Sequence, residues 1–218
     1  RESPASRASL PDHFLSYGSW WHGTVNAPVR MHAVGNPHRT FRLERLGAQK
    51  QRPKDSILIL ADGTEFGIYV DLARNIAREM RKLGFRVVIR PHPLERVSVA
   101  QQYGVCLDNL IYIDQNDDLY TSLLEAHAVV SELSTGLFEA VGIVDKLFMW
   151  DTTKARFAFP TLPFESFNCP KQLSALLSDD AVGRLPSEVR DGMWSKAWRS
   201  KYARFLAACG VGVEQIDV

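Results

Sequence analysis

Arg90-Pro91-His92-Pro93 sets a guanidinium two residues from an imidazole that is held between prolines, with Glu95 and Arg96 close behind. Proline fixes its own backbone angle, so two of them give the imidazole a defined direction. A guanidinium matches phosphate oxygens, and an imidazole can donate to a phosphate or carry a proton. This is chemistry suited to charge building on a phosphate leaving group, which makes His92 and Arg90 the candidate catalytic residues. A plainer account of the same residues is that Arg90 pairs with a helix carboxylate and His92 caps a loop.

A second segment, Ser131-Glu132-Leu133-Ser134-Thr135-Gly136-Leu137-Phe138-Glu139, puts small hydroxyl residues and a glycine where a strand is expected to turn into a helix. Backbone N–H groups and the positive end of a helix dipole make such a turn a phosphate cradle. Ser131, Ser134 and Thr135 would add hydroxyls, Gly136 would let a ligand approach, and Glu139, one turn in, could reach a ribose hydroxyl. An ordinary helix N-cap has the same composition. Asp62-Gly63-Thr64-Glu65 follows an earlier strand, so Gly63 and Thr64 are candidates to cover donor phosphates or to face the acceptor, with a simple turn equally open. Asp114-Gln115-Asn116-Asp117-Asp118 follows another strand. Asp117 there is a candidate base or ribose contact, although acidic loops of this kind are more often solvated caps. His13, His22, His32 and His38 show no metal-ligand spacing, His127 reads as structural, and HExxH, Walker A and GxSxG sequences are absent, so no metal site is expected.

These segments need a scaffold that brings strand ends together. Ser56–Ala61 is a continuous apolar run of strand length. Residues 67 to about 83 carry Ile68, Leu72, Ile76 and Met80 at helical spacing, with Arg74, Arg78, Arg81 and Lys82 on the wet face, and Gly84 ends the helix. Strands follow at Arg86–Arg90, Leu110–Ile113, Ala128–Ser131 and Lys146–Trp150, with helices at Leu119–Ala126 and from Thr135. This alternation predicts an α/β fold, a Rossmann-like parallel sheet with helices on both faces. Ligands of such sheets bind beyond the carboxyl ends of the strands, which is where the three polar segments fall. The expected divisions are residues 1–50, an N-terminal remnant ending in the polar linker Gln49–Asp55; 51–165, the nucleotide-binding domain; and 166–218, helices packing on or beside it. The last of these is predicted over Glu188–Ala208, with Trp194, Trp198, Tyr202 and Phe205 forming a packing stripe.

Bulk properties narrow the function classes. The 218 residues are 45% hydrophobic with a net charge of +1, and no basic stripe points to nucleic acid. Cys106, Cys169 and Cys209 are scattered, which fits buried or idle thiols in a reducing compartment. No apolar run reaches the length of a membrane span. The chain begins at Arg1 without a signal-peptide pattern and reads as a piece of something longer.

The order Arg-Pro-His-Pro, acidic loop, then Ser-x-x-Ser-Thr-Gly-x-x-Glu-Ala resembles the C-terminal half of GT-B-fold transferases. The groups in view are the CDP-glycerol glycerophosphotransferases of teichoic acid synthesis, the polysialyltransferases and the capsule-polysaccharide transferases. The likeness covers about residues 12 to 155. Phe14-Leu15-Ser16-Tyr17-Gly18 and Val34-Gly35-Asn36-Pro37 resemble the end of the N-terminal domain and the crossing to the second. In those families a His-Pro segment and a serine-rich turn bind the donor's nucleotide phosphates, which implies that role for His92 with Pro93, Ser131, Ser134 and Thr135. Asp117 and Asp118 resemble the short acidic stretch before the next helix. The glycerophosphotransferases usually carry Asp-Tyr-Ser-Ser where Glu132-Leu133-Ser134-Thr135 stands here, and commonly Asp where Glu139 stands, which leaves a sugar donor as open as glycerol phosphate.

The resemblance implies an enzyme of bacterial surface polysaccharide synthesis. It would transfer a sugar or sugar-phosphate from a nucleotide-activated donor of CDP/CMP or UDP type, with no separate cofactor, to a glycan or polyol-phosphate acceptor. This chain would supply the donor site, and the base activating the acceptor would lie in the absent half. A cytoplasmic location is expected, at the inner face of the membrane if regions outside the chain bind there. Two rivals stand beside it. One is a sugar-nucleotide epimerase or hydrolase with Glu95 and Glu132 as loop carboxylates. The other is a non-catalytic binding scaffold in a polysaccharide assembly complex.

Overall fold

The computed structural model describes residues 10–24, 28–47, 54–159 and 161–211. The polar linker expected at Gln49–Asp55 lies mostly outside the described residues. The chain divides into two compact units, Leu43–Leu185 and Arg1–Arg42 with Pro186–Val218.

The larger unit is built on a seven-stranded sheet. Its strands are β3 (Ser56–Leu60), β4 (Arg86–Arg90), β5 (Cys106–Asp108), β6 (Ile111–Ile113), β7 (Ala126–Ser131), β8 (Lys146–Trp150) and β9 (Glu165–Phe167). Their order in space is β5-β6-β4-β3-β7-β8-β9. Every pairing is parallel except that of β5 with β6. The α/β, Rossmann-like expectation therefore holds. All five residues of β3 are buried, as an apolar run covered on both faces requires. Helix α3 (Phe66–Met80) buries Tyr69, Leu72, Ala73, Ile76 and Met80. With Leu173 and Leu177 of α8 (Pro170–Ser178), these pack on the face carrying Ile57 and Ile59. A left-handed Gly84 (φ +72°) closes the short 3-10 turn Arg81–Leu83 that follows α3. α4 (Arg96–Tyr103) links β4 to β5. The opposite face takes α5 (Leu119–Glu125) and the four-residue α6 (Gly136–Glu139), and α7 (Thr153–Ala158) follows β8.

The sheet unit runs beyond the expected limit at 165, because β9 pairs with β8 and α8 joins the core. Lys146 opens β8 with its side chain 2% exposed, and its ammonium donates to the carbonyls of Leu177 (2.8 Å) and Asp179 (2.9 Å) at the end of α8. His127 stacks on Phe85; burial, then the charge of Lys146, lowers its pKa below the usual histidine value.

The smaller unit pairs β1 (His13–Ser16) with β2 (Arg30–Ala33) in parallel and adds α1 (Trp20–Thr24). It also holds α9 (Ser187–Met193) and α10 (Trp198–Ala208), while α2 (Pro37–Leu46) begins in it. The single helix expected over 188–208 is two helices. Met193 O accepts from Trp21 Nε1 (3.0 Å) and Ser195 N donates to Tyr17 O (2.7 Å), so tertiary bonds take the backbone groups a continuous helix would use. Ala197, left-handed at φ 57°, restarts the chain. The aromatic stripe is divided with it: Trp194 packs on Tyr17 and Trp21, whereas Phe205 packs on His13 and His32.

Candidate functional site

The sheet reverses its direction of growth at β3. The chain passes from β3 to β4 and β6 on one side, then returns to β7, β8 and β9 on the other. Adjacent strands whose connections leave in opposite directions open a crevice at their carboxyl ends. Here that crevice lies between β3 and β7, with β4 alongside. In register, Leu60 pairs with both Arg90 and Ser131, so residues 61–64, 91–93 and 132–135 leave the sheet side by side.

The loop after β3 is a tight Asx turn. Asp62 Oδ1 accepts from Thr64 N (3.1 Å) and Thr64 Oγ1 (2.8 Å). Gly63, at φ +84°, lies flat against His92: a Cβ placed on it would stand 2.9 Å from Cγ and 3.1 Å from Nδ1 of the imidazole. Leu94 N donates to His92 Nδ1 (3.4 Å), so the proton of the neutral ring belongs on Nε2, which remains available as a donor.

Arg90 takes the plainer role. Its side chain is 10% exposed, and Nη1 donates to Asp114 Oδ2 (2.5 Å), Asn116 O (2.8 Å) and Ser122 Oγ (3.0 Å), while Nη2 donates to Asp117 O (3.2 Å). The guanidinium is engaged with the acidic loop and α5 and is not presented to the crevice. The partner carboxylate comes from the end of β6, not from a helix. Asp117 contributes its carbonyl, also to Arg96 Nη1 (3.4 Å), while its carboxylate is fully exposed 3.9 Å from Arg96. Asp118 caps α5 by accepting from Tyr120 N (2.8 Å).

The turn after β7 is organised by its own hydroxyls. Ser131, 1% exposed, accepts from Ser134 N (2.9 Å), and Ser134 Oγ accepts from Gly136 N (3.2 Å). Leu137 N donates to Ser134 O (3.1 Å). Several amides expected to hold a ligand thus hold the turn. Thr135 is exposed at its tip, and the Ser134 hydroxyl keeps a proton to donate outward. Gly136 is buried against Leu60 and Leu119, where a Cβ would come within 2.9 Å of Leu60 Cδ1; its smallness serves packing, not ligand approach. Glu139 accepts from Tyr120 OH (2.6 Å).

Glu132 points to the opposite face from Ser131. It is 4% exposed and accepts from Tyr69 OH (3.1 Å) and Thr152 Oγ1 (2.5 Å). Lys154 of α7 donates to Asp62 Oδ2 and to Thr64 Oγ1 (2.8 Å) and lies 3.7 Å from Glu132 Oε2. Burial pushes the Asp62 pKa up, but bonds from Lys154, Thr64 and Tyr69 outweigh it and hold the value below the ordinary carboxylate range. Burial pushes Lys154 down, and its bond to Asp62 carries the net shift upward. Burial, then the charges of Asp62 and Glu132, raises the Tyr69 hydroxyl. Lys154 is absent from the sequence-based candidates, although it follows β8 where the strand-end rule would have found it. Tyr69 could not be distinguished from the core stripe of α3.

Among the described residues, no group of three or more His, Cys, Asp or Glu is arranged to hold a metal ion, and no helix is long and apolar enough to cross a membrane. The three cysteines are free and exposed, so of the two alternatives, buried or idle thiols, burial does not hold.

Comparison with solved structures decides the architecture. A variant of the wall teichoic acid polymerase TagF with CDPG is similar over 93% of this chain and 52% of its own, at TM-score 0.53 and 16% identity. The fold is that of a Rossmann-like GT-B domain. The UDP-GlcNAc 2-epimerase of Methanocaldococcus jannaschii, in complex with UDP-GlcNAc and UDP, matches this GT-B domain at TM-score 0.54 and 9% identity, over 86% of this chain and 57% of its own. S. aureus MnaA with UDP matches at TM-score 0.55 and 14% identity, over 94% and 63%. The chain therefore spans between half and two thirds of the length of these structures. No protein-family model and no curated sequence matches it.

Proposed function

We propose that this GT-B domain is the donor-nucleotide site of a transferase. The reaction moves a sugar or sugar-phosphate from a CDP/CMP- or UDP-type donor to a glycan or polyol-phosphate acceptor in bacterial surface polysaccharide synthesis, with no separate cofactor. The observation that carries the reading is the convergence of Gly63, His92 and the Ser134–Thr135 pair on the switch-point crevice, from the ends of three strands, β3, β4 and β7. The neighbouring folds carry CDPG, UDP and UDP-GlcNAc.

In this reading the donor's phosphates face His92 Nε2 and the hydroxyls of Ser134 and Thr135. As the bond to the leaving phosphate breaks, negative charge grows on its oxygen. His92 donates its Nε2 proton in a hydrogen bond to that oxygen or transfers it, and the two hydroxyls donate alongside. Fixed donors aimed at developing charge lower such barriers by roughly 3–4 kcal/mol each. Arg90 has a positioning role: it ties the Asn116–Asp117 loop to the end of β4, leaving Asp117 as a rim residue. Ser131 shapes the turn, Thr64 completes the Asx loop beside His92, and Glu139 with Tyr120 borders the ribose side.

Titration calorimetry of the full chain with CDP, CMP, UDP and GDP tests the reading. Binding of at least one, weakened tenfold or more by His92→Ala or Ser134→Ala, is the expected result. No heat with any of the four ends the proposal.

One observation favours a second reading as an epimerase or hydrolase. Glu95 Oε2 is buried with no hydrogen-bond partner among the described residues, and Glu95 N donates to His92 O (2.9 Å). A buried carboxylate oxygen without a hydrogen-bond partner, three residues after His92, is a candidate base. Glu132, buried and doubly hydrogen-bonded, is not. Incubation with a nucleotide sugar and no acceptor separates the two, since only the second reading gives product.

A further inference from the structure

We infer that Lys154 is a positioning residue for His92, acting through the Asp62-Gly63-Thr64 loop. The inference builds on the donor-site reading of the crevice. Lys154 stands on α7 after β8, and His92 follows β4; β7 and β3 lie between these strands. The ammonium nevertheless reaches the loop above β3, where it donates to Asp62 Oδ2 and Thr64 Oγ1. Those two residues are already joined through Asp62 Oδ1. Between them Gly63 rests on the imidazole, with no room for a Cβ before His92 Cγ. Glu132, reached by Lys154 at 3.7 Å, is itself fixed by Tyr69 and Thr152. The ammonium is thus held from two sides and presses the loop onto the ring.

A direct role in binding phosphate is the obvious alternative, and the charges argue against it. The Lys154 side chain is 41% exposed, while those of Asp62 and Glu132 are 5% and 3% exposed directly behind it. An anion touching the ammonium at about 3 Å would feel two carboxylates at roughly twice that distance. Coulomb energy falls as the inverse of distance, so their joint repulsion offsets the single attraction. Asp62, with its depressed pKa, stays ionised and keeps that repulsion in place. What the cluster does supply is a fixed backdrop for the imidazole. Because Leu94 N–H occupies Nδ1 only at 3.4 Å, the tautomer that keeps the proton on Nε2 depends on the ring staying where Gly63 holds it.

The test is ¹⁵N NMR of the His92 ring in the full chain, at a pH where the ring is neutral, for wild type, Lys154→Met and Lys154→Arg. Thermal melts confirm that each is folded. In wild type the two ring nitrogens should give well-separated shifts, with the proton on Nε2. In Lys154→Met they should move toward each other as the tautomers mix, and Lys154→Arg should restore most of the separation. Nucleotide affinity should fall several-fold in Lys154→Met and recover in Lys154→Arg. If Lys154→Met fails to fold, Asp62→Asn, which weakens the clasp at equal size, should show a smaller shift in the same direction. Ring shifts unchanged in the folded variant would overturn the inference. The ring measurement needs no ligand, so a wild-type chain that binds no nucleotide would defeat the donor-site reading while leaving this result to stand or fall by itself.

Discussion

Arg90 and Asp114 meet at 2.5 Å with 10% and 3% of their side chains exposed, at the carboxyl ends of neighbouring strands β4 and β6. The pair is a buried brace. Asp114 Oδ2 also accepts from Ser122 Oγ (2.6 Å), and the same guanidinium holds the carbonyls of Asn116 and Asp117. Removing one partner of a buried ion pair strands the other's charge, which costs about 3–5 kcal/mol. Arg90→Met should therefore lower unfolding stability by that amount in urea titration. Arg90→Met with Asp114→Leu should be closer to wild type, since no charge is left unpaired. A phosphate-binding Arg90 would give the opposite pattern, with stability little changed and nucleotide affinity lost.

A similar logic applies at the other end of the sheet. Lys146 is buried at the start of β8 and terminates α8 by donating to two of its last carbonyls. Positive charge is favourable at a helix carboxyl end. Lys146→Met keeps the apolar stem and removes only the ammonium. Each carbonyl left without its donor costs about 1–3 kcal/mol. Hydrogen exchange should accelerate in α8 first, with β3 and β7 keeping their protection. Uniform acceleration across the sheet would contradict a local capping role.

The scaffold was legible in the sequence because its signals are local. The unbroken apolar run of β3, the helical stripe of α3 and the left-handed Gly84 each encode their element without help from distant residues. The break at 194–197 was not legible, since it is set by bonds from Trp21 and Tyr17, far away in the chain. The site was legible in position but not in role. The strand-end rule pointed to Arg90, His92 and Ser134, which stand at or just after the carboxyl ends of β4 and β7. Yet whether a polar group faces a ligand or a protein partner depends on what the next strand brings. Asp114 claims Arg90, and Ser134 N claims Ser131. Lys154 and Tyr69 gain their importance only by meeting Asp62 and Glu132, a convergence that residue spacing does not encode.

Asp62 makes the cluster sensitive to acid. Its folded pKa lies below the ordinary aspartate value. A carboxylate with a depressed folded value binds fewer protons in the folded state than in the unfolded one. Its stabilisation is therefore present above the unfolded value and is lost as pH falls through the folded value. Urea midpoints measured from about pH 5 down to pH 2 should fall less steeply in Asp62→Asn than in wild type. Parallel curves would mean that Asp62 is not held ionised by Lys154 and Thr64.

Gly63 and Gly84 separate backbone strain from contact with His92. Both are left-handed, at φ +84° and φ +72°. A Cβ on Gly84 meets nothing within 4 Å, whereas one on Gly63 runs into the His92 ring. Alanine at either site should cost about 1–2 kcal/mol from the conformation alone. Only Gly63→Ala should also displace the imidazole. Nucleotide affinity should therefore drop in Gly63→Ala and stay at the wild-type level in Gly84→Ala, although both variants melt at lower temperature than wild type. If both variants bound nucleotide equally well, the contact between Gly63 and His92 would have no bearing on the ligand, and the β3–α3 loop would lose its place in the site.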